Sequence, residues 1–369
     1  MLSLIYSSVK SVFNTVATPI GQSLKGIIEN IKAVSRKSTT YITEQFDQIS
    51  IKYDIAVPTV GLFISATLLT LLSIGIGSEI ILPLSLKVWV IEFILKYLGM
   101  QLILSENGFS VITMSLILYL LNPIIYVVCI LLSTIAAYIQ FTVTHDAIHG
   151  AISKRKINNV LGFFSQIWLG PTSNWDALKY NHLKHHANTN DSIKDPDYWC
   201  SSKSLGGRYL TWLRWLTIEL SYFYNYIPYI IRHSNKIANF IAYELSVMLF
   251  IYSIYKLELM SSLLMYWIIP SRIAIFILAF AFDYLPHYPH YITRKQDKYK
   301  TTAYISTAWY LRPFLSLIIF NQNYHIVHHL KPRVPFYMYW KVWEDMKHEL
   351  LTEHDIMVRR ILPELGEDE

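Results

Sequence analysis

Four segments, roughly residues 56–77, 121–144, 239–256 and 261–282, are apolar over a length that fits the hydrocarbon of a bilayer, which a helix crosses in about 20 residues. Such runs leave little freedom of fold. Length alone would allow two or three soluble domains, but 53% hydrophobic and 16% charged residues, with a mean hydropathy of +0.31, favour one membrane-embedded domain with polar caps. The formal charge of +6 and 27 tyrosines suit an anionic membrane surface, and nothing in the chain resembles a nucleic-acid-binding module.

Charge sets the expected topology. If the crossings form two hairpins, 56–144 and 239–282, then segments 1–55, 145–238 and 283–369 share one face and carry 28 of the 32 Lys and Arg. The positive-inside rule makes that face cytoplasmic or its organellar equivalent. The stretch 86–104 contains Lys87, Glu92 and Lys96 and reads as interfacial, while Val111–Leu121 extends the second crossing. Residues 160–169 and 314–320 are too short to span and read as re-entrant or surface helices. Residues 1–55 form a basic N-terminal segment whose apolar stripe, Val9 to Val34, fits an interfacial helix, a transit peptide or a packed soluble helix. The domain proper then runs over 56–345, with a charged tail at 346–369.

Ten of the thirteen histidines fall in four short clusters on the basic face. HDAIH holds His145 and His149, HLKHH holds His182, His185 and His186, FDYLPHYPH holds His287 and His290, and HIVHH holds His325, His328 and His329. Histidines three or four apart share a helix face and reach one metal ion, whereas adjacent ones diverge by about 100° and can face two. A lone histidine is more often a hydrogen-bonded core residue. Two HxxHH sets with an HxxxH beside membrane segments supply more nitrogens than one ion accepts and enough for two.

The absences narrow the metal. Cys129 and Cys200 cannot build a four-thiolate or iron–sulfur site, the HExxH of zinc proteases is missing, and so are the Glu-x-x-His pairs of soluble di-iron proteins. An imidazole-rich site suits iron, zinc or nickel. The polar group Asp283, His287 and His290 stands at the end of an apolar run, where hydrocarbon meets the cap.

The order HDAIH, HLKHH, HIVHH between two hairpins, over roughly residues 56–345, resembles the membrane fatty acid desaturase and hydroxylase superfamily. The flanks HHANTNDSIKDPD, FDYLPHYPH and QNYHIVHHLKPRVPFYMYW are most similar to its β-carotene hydroxylase branch. The resemblance implies an all-α integral membrane protein with two transmembrane helical hairpins and a cytoplasmic-side helical cap that holds a di-iron site. It implies two Fe ions, O2 as co-substrate, removal of hydrogen from an unactivated C–H bond, and electrons from an external ferredoxin or cytochrome b5. The implied ligands are His145, His149, His182, His185, His186, His287, His325, His328 and His329. Asp146, Asp195, Asp197, Asp283, Asn321 and His290 are candidates for contacts behind the ligands, against turn or loop roles such as Asp-Pro-Asp suggests. Arg272, midway along the fourth crossing, calls for protein or a polar cavity at that depth, either a pair with Glu244 or contact with a polar substrate head.

The leading expectation is an acyl-lipid desaturase or hydroxylase, with a carotenoid ring hydroxylase as the alternative. A histidine-rich metal transporter or sensor is the reading of another class, but its histidines would be expected inside the crossings rather than at one end of them. The membrane itself, whether endoplasmic reticulum, plastid or bacterial inner membrane, stays open, and the ligand motifs do not separate desaturation from hydroxylation.

Overall fold

The computed structural model describes residues 56–77, 109–153 and 156–361. The N-terminal stripe, the ambiguous stretch 86–104 and the last eight residues lie outside the described residues. The chain divides into two compact units, Met1–Val57 and Pro58–Glu369, and the second contains the functional site.

Among the described residues four helices are long and apolar enough to cross a membrane, and they fall on the expected segments. Helix α1 runs Val57–Gly77, α2 runs Phe109–His149, α7 runs Ser234–Lys256, and α8 runs Met260–His287. Between them lie α3 (Ile157–Gln166), α4 (Trp175–Asn188), α5 (Thr211–Leu216) and α6 (Ile218–Arg232). After α8 come β1 (Ala303–Ser306), α9 (Arg312–Ile318), α10 (His325–Leu330), α11 (Tyr339–Thr352) and β2 (Met357–Arg360).

The expected extension of the second crossing is part of α2, which has 41 residues. At 1.5 Å per residue it is about 60 Å long, roughly twice the thickness of a hydrocarbon core. Its surplus turns carry His145 and His149. Helix α8 also exceeds one crossing and ends at His287. It contains two π-helical stretches, Leu264–Ile268 and Ala279–Tyr284, and the second directly precedes the histidine and includes Asp283.

Helices α1 and α2 run antiparallel, joined by buried polar contacts along their length. Thr59 donates to Asp146 (2.8 Å), Gln140 donates to the Phe63 carbonyl (3.2 Å) and to Thr67 (3.1 Å), and Ser73 donates to the Cys129 carbonyl (2.8 Å) and meets Ser133 (2.8 Å). In lipid, apolar surface gives helices little reason to associate, so small residues and hydrogen bonds hold such pairs. Helix α7 is the opposite case, since no residue of its membrane window is buried and Leu245, Met248, Leu249 and Tyr252 all face outward. That surface is what a lipid-facing helix presents.

Two features depart from the sequence expectation. The fold is not purely α, because β1 and β2 form a two-stranded parallel sheet with Ala303 opposite Met357 and Ser306 opposite Arg360. The boundary at residue 345 also falls inside α11, whose Tyr339, Trp343 and Leu350 are buried in one core with Tyr304, Tyr324 and Phe336. Charged residues on the outer face of α11 suggested a tail, but the inner apolar face binds it to the domain.

The short segment after α2 folds back against the crossings. Helix α3 and the 3-10 turn Ile167–Leu169 pack on α2 and α8, and Gly170 lies so close to Ser271 that an added Cβ would fall 2.6 Å from its hydroxyl. Residues 160–169 thus form short helical pieces packed on the crossings rather than a further crossing. Gly162 permits the close approach of α3 to α4, since a methyl group there would collide with the Trp175 ring. Gly162→Ala should therefore cost about 1–3 kcal/mol through overpacking, and thermal denaturation in detergent should show a lowered midpoint.

Candidate metal centre

Helix α4 is started by Asn174, whose side chain accepts the Ala177 N–H at 3.2 Å, with Asp176 in the first turn. The cap fixes which face of α4 looks inward, and that face buries His182, His185 and His186. Helix α10 contributes His325, His328 and His329, all buried, while the ends of α2 and α8 bring His145, His149 and His287 to the same place.

The nine ring systems sort into two groups. In the first, His149 and His182 bring their Nε2 atoms to 2.8 Å, His182 and His186 to 3.2 Å, and His186 and His328 to 2.8 Å. The ring of His145 stands 4.2 Å from that of His328 and 4.7 Å from that of His182. In the second, Nε2 contacts join His287 to His325 (3.1 Å), His325 to His329 (3.1 Å) and His329 to His185 (3.4 Å). The adjacent pairs diverge as helix geometry requires. His185 faces one group and His186 the other, with rings 78° apart, and His328 and His329 do the same at 88°.

Several contacts fix ring orientation from behind. Nδ1 of His185 donates to Asp195 Oδ1 at 2.8 Å, with Asp197 Oδ2 at 3.4 Å. Nδ1 of His325 donates to Gln322 Oε1 at 2.6 Å, and Nδ1 of His328 meets the Tyr339 hydroxyl at 2.9 Å. Because Asp195 and Gln322 Oε1 only accept, Nδ1 of each ring carries a proton, and the neutral His325 keeps its lone pair on Nε2. Burial, together with the neighbouring histidines, holds His182, His186, His328 and His329 well below the usual imidazole range, and burial lowers His325 to about 3. These rings are neutral and able to donate lone pairs. His185 is the exception, since burial would lower it but Asp195 and Asp197 outweigh that and raise it to about 9.

This donor set fits two metal ions. Nitrogens bound about 2.1 Å from one ion at 90–110° are separated by about 3.0–3.4 Å, close to the observed Nε2 separations of 2.8–3.4 Å. Both nitrogens of His145 are buried with no hydrogen-bond partner in the protein. A buried polar atom without a partner is costly, and a cation among these rings removes that cost.

A family model for fatty acid desaturases matches residues 121–360, well over half of the chain. The chain belongs to the fatty acid desaturase family. It is therefore an oxidoreductase of the desaturase and hydroxylase type, and its four apolar helices fit an integral membrane protein. A comparison with curated proteins gave no match.

The candidates for supporting contacts divide. Asp195 and Asp197 lie behind His185 as described. Asp146 does not serve His145, because one residue along a helix turns the side chain by about 100°, and its carboxylate accepts instead from Thr59 and the Phe336 N–H. Asp283 is near Cys200, whose sulfur lies 3.9 Å from Oδ2. Asn321 adopts a left-handed backbone, φ 60°, which makes it the turn that starts the helix, and the neighbouring Gln322 takes the contact with His325. His290 is buried with neither ring nitrogen partnered, and it stays outside both nitrogen groups, its ring 6.3 Å from that of His287. Burial lowers its pKa to about 3. Gln322 and Tyr339 were missed in the sequence, although Gln322 stands three residues before His325, the spacing of neighbours on a helix face.

Arg272 pairs with Glu219 rather than with Glu244. Its Nη2 lies 2.5 Å from Glu219 Oε1 and 3.2 Å from the Leu169 carbonyl, while Glu244 accepts from Asn174 at 3.3 Å. The reason is the re-entrant turn, which brings non-helical backbone to the middle of α8 where the freed carbonyls need donors. Trp267 supplies another, to Ile167 O at 2.8 Å. Between this ion pair and Asp283 lies a cavity of about 50 Å³ lined mainly by apolar groups, among them Phe141, Leu178, Ile218 and Ile275. A double-mutant cycle on Arg272 and Glu219 should give a coupling of about 0.5–3 kcal/mol in thermal stability, against nearly none for Arg272 with Glu244.

Proposed function

We propose that this protein is an O2-dependent di-iron enzyme that removes hydrogen from unactivated C–H bonds of an acyl lipid, as a desaturase or hydroxylase. The observation that carries the reading is the pair of buried imidazole groups at the ends of apolar helices in a member of this family. His145, His149, His182, His186 and His328 hold one ion, and His185, His287, His325 and His329 hold the other. When bound, two irons with O2 supply the oxidising power that an amino-acid side chain lacks.

The residues of this chain do the rest. Asp195 and Gln322 keep the protons of His185 and His325 on Nδ1 and aim the Nε2 lone pairs inward. Tyr339 steadies His328 and, with Phe336 and Trp343, closes one side of the site to water. The cavity between α2, α4, α6 and α8 seats a segment of an alkyl chain, with Asp283 at the end nearer the histidines. Electrons come from an external ferredoxin or cytochrome b5 that docks on the basic face, where Lys331 and Arg333 are exposed next to α10. By charge distribution that face is the cytoplasmic-type side.

A carotenoid ring hydroxylase is the second reading, and the flanking sequences around the second, third and fourth clusters favour it. Lipid and pigment profiles of a host expressing the chain separate the two. New double bonds or hydroxyl groups in acyl lipids, absent with His328→Ala, are expected. Hydroxylated carotenoids with unchanged acyl lipids would transfer the site to the second reading, and unchanged profiles of both kinds would remove the proposal.

A further inference from the structure

The two imidazole groups differ in what stands behind them. Imidazole ligands are neutral, so nine of them offset none of the charge that two divalent ions bring into a buried site. Buried charge is costly unless an opposite charge lies nearby. The position of the buried carboxylates therefore decides where a cation is best accommodated.

Among the described residues, the carboxylates that contact a ligand imidazole lie on one side, at His185. Asp195 receives Nδ1–H of His185 at 2.8 Å and is fixed there by the backbone N–H of Asn190 (2.7 Å, to Oδ2) and of Asp197 (2.9 Å, to Oδ1). Asp197 is 3% exposed, its Oδ2 lies 3.4 Å from His185 Nδ1, and the Tyr222 hydroxyl is its other side-chain partner. Asp283 has the Cys200 thiol 3.9 Å from Oδ2. Two further elements hold this arrangement. The Arg214 guanidinium, itself buried, donates to the carbonyls of Trp199, Ser201, Leu205 and Gly207, and Ser221 donates to the Pro196 carbonyl. The loop that carries Asp195 and Asp197 is thus anchored from both sides.

The other group has no such backing. His328 meets the neutral hydroxyl of Tyr339, and His145 has no partner at either nitrogen. Asp146, the nearest carboxylate in sequence, is turned to Thr59 and the Phe336 N–H.

Resting on the di-iron reading, we infer that the two ions are held unequally. The ion among His185, His287, His325 and His329 is bound more tightly, and Asp195 and Asp197 are the positioning residues responsible. Their carboxylates supply the negative charge that the imidazoles lack and strengthen His185 as a donor. The ion in the five-histidine group depends on neutral groups and leaves first.

Chelator titration of iron-loaded protein, followed by metal content and Mössbauer spectra, reads this without turnover. The wild type should lose its irons in two steps. Asp195→Asn should weaken the tighter ion by about 10–100-fold, change one of two Mössbauer signals and merge the steps, while Asp195→Glu restores part of the difference. Tyr339→Phe should leave the tighter ion unchanged. Asp197→Asn repeats the test should Asp195→Asn not fold. Equal weakening of both ions by the carboxylate variants, or no weakening, would overturn the inference. A wild type that takes up no iron would instead overturn the di-iron reading beneath it.

Discussion

The structure is organised around nine imidazoles in a buried space, eight of which bring a nitrogen within hydrogen-bonding distance of a neighbouring ring. Lone pairs aimed at lone pairs repel, and the protein provides few donors to relieve them. Much of the rest follows from keeping that arrangement in place. Helices α2 and α8 are longer than a bilayer so that their last turns carry histidines beyond the apolar run. Asp146 joins α1, α2 and the segment entering α11, and Arg214 gathers the loop behind His185.

The membrane enters the same argument. A chain that acts on a lipid must place a polar, metal-binding group next to a surface that rejects polarity. Here the transition takes place within single helices, and the second π-helical stretch in α8 lies at that transition. The re-entrant turn at residues 167–172 brings further wall material to the middle of α8, and its carbonyls are satisfied by Trp267 and Arg272. An apolar cavity thereby forms between the turn and Asp283.

What could be read in the sequence was what repeats along the chain. Crossings follow from runs of apolar residues, and the histidine sets follow from spacings of one, three and four, including the divergence of His185 from His186. Partners from distant segments could not be read in this way. Glu219 reaches Arg272 because of the re-entrant turn, Tyr339 reaches His328 from the following helix, and Thr59, Thr67 and Ser73 meet α2 across the α1 interface. Asn321 takes a left-handed turn and leaves the contact with His325 to Gln322, which the sequence does not display. β2 was hidden for a similar reason, since a strand of four residues that alternates burial and exposure has no signal until β1 is beside it.

The most direct test of the account is the metal content of the purified protein together with its oxygen consumption. About two irons per chain are expected, lost together with O2 consumption when histidines of both groups are replaced. Protein that purifies with zinc alone, takes up no iron on reconstitution and consumes no O2 would contradict the account.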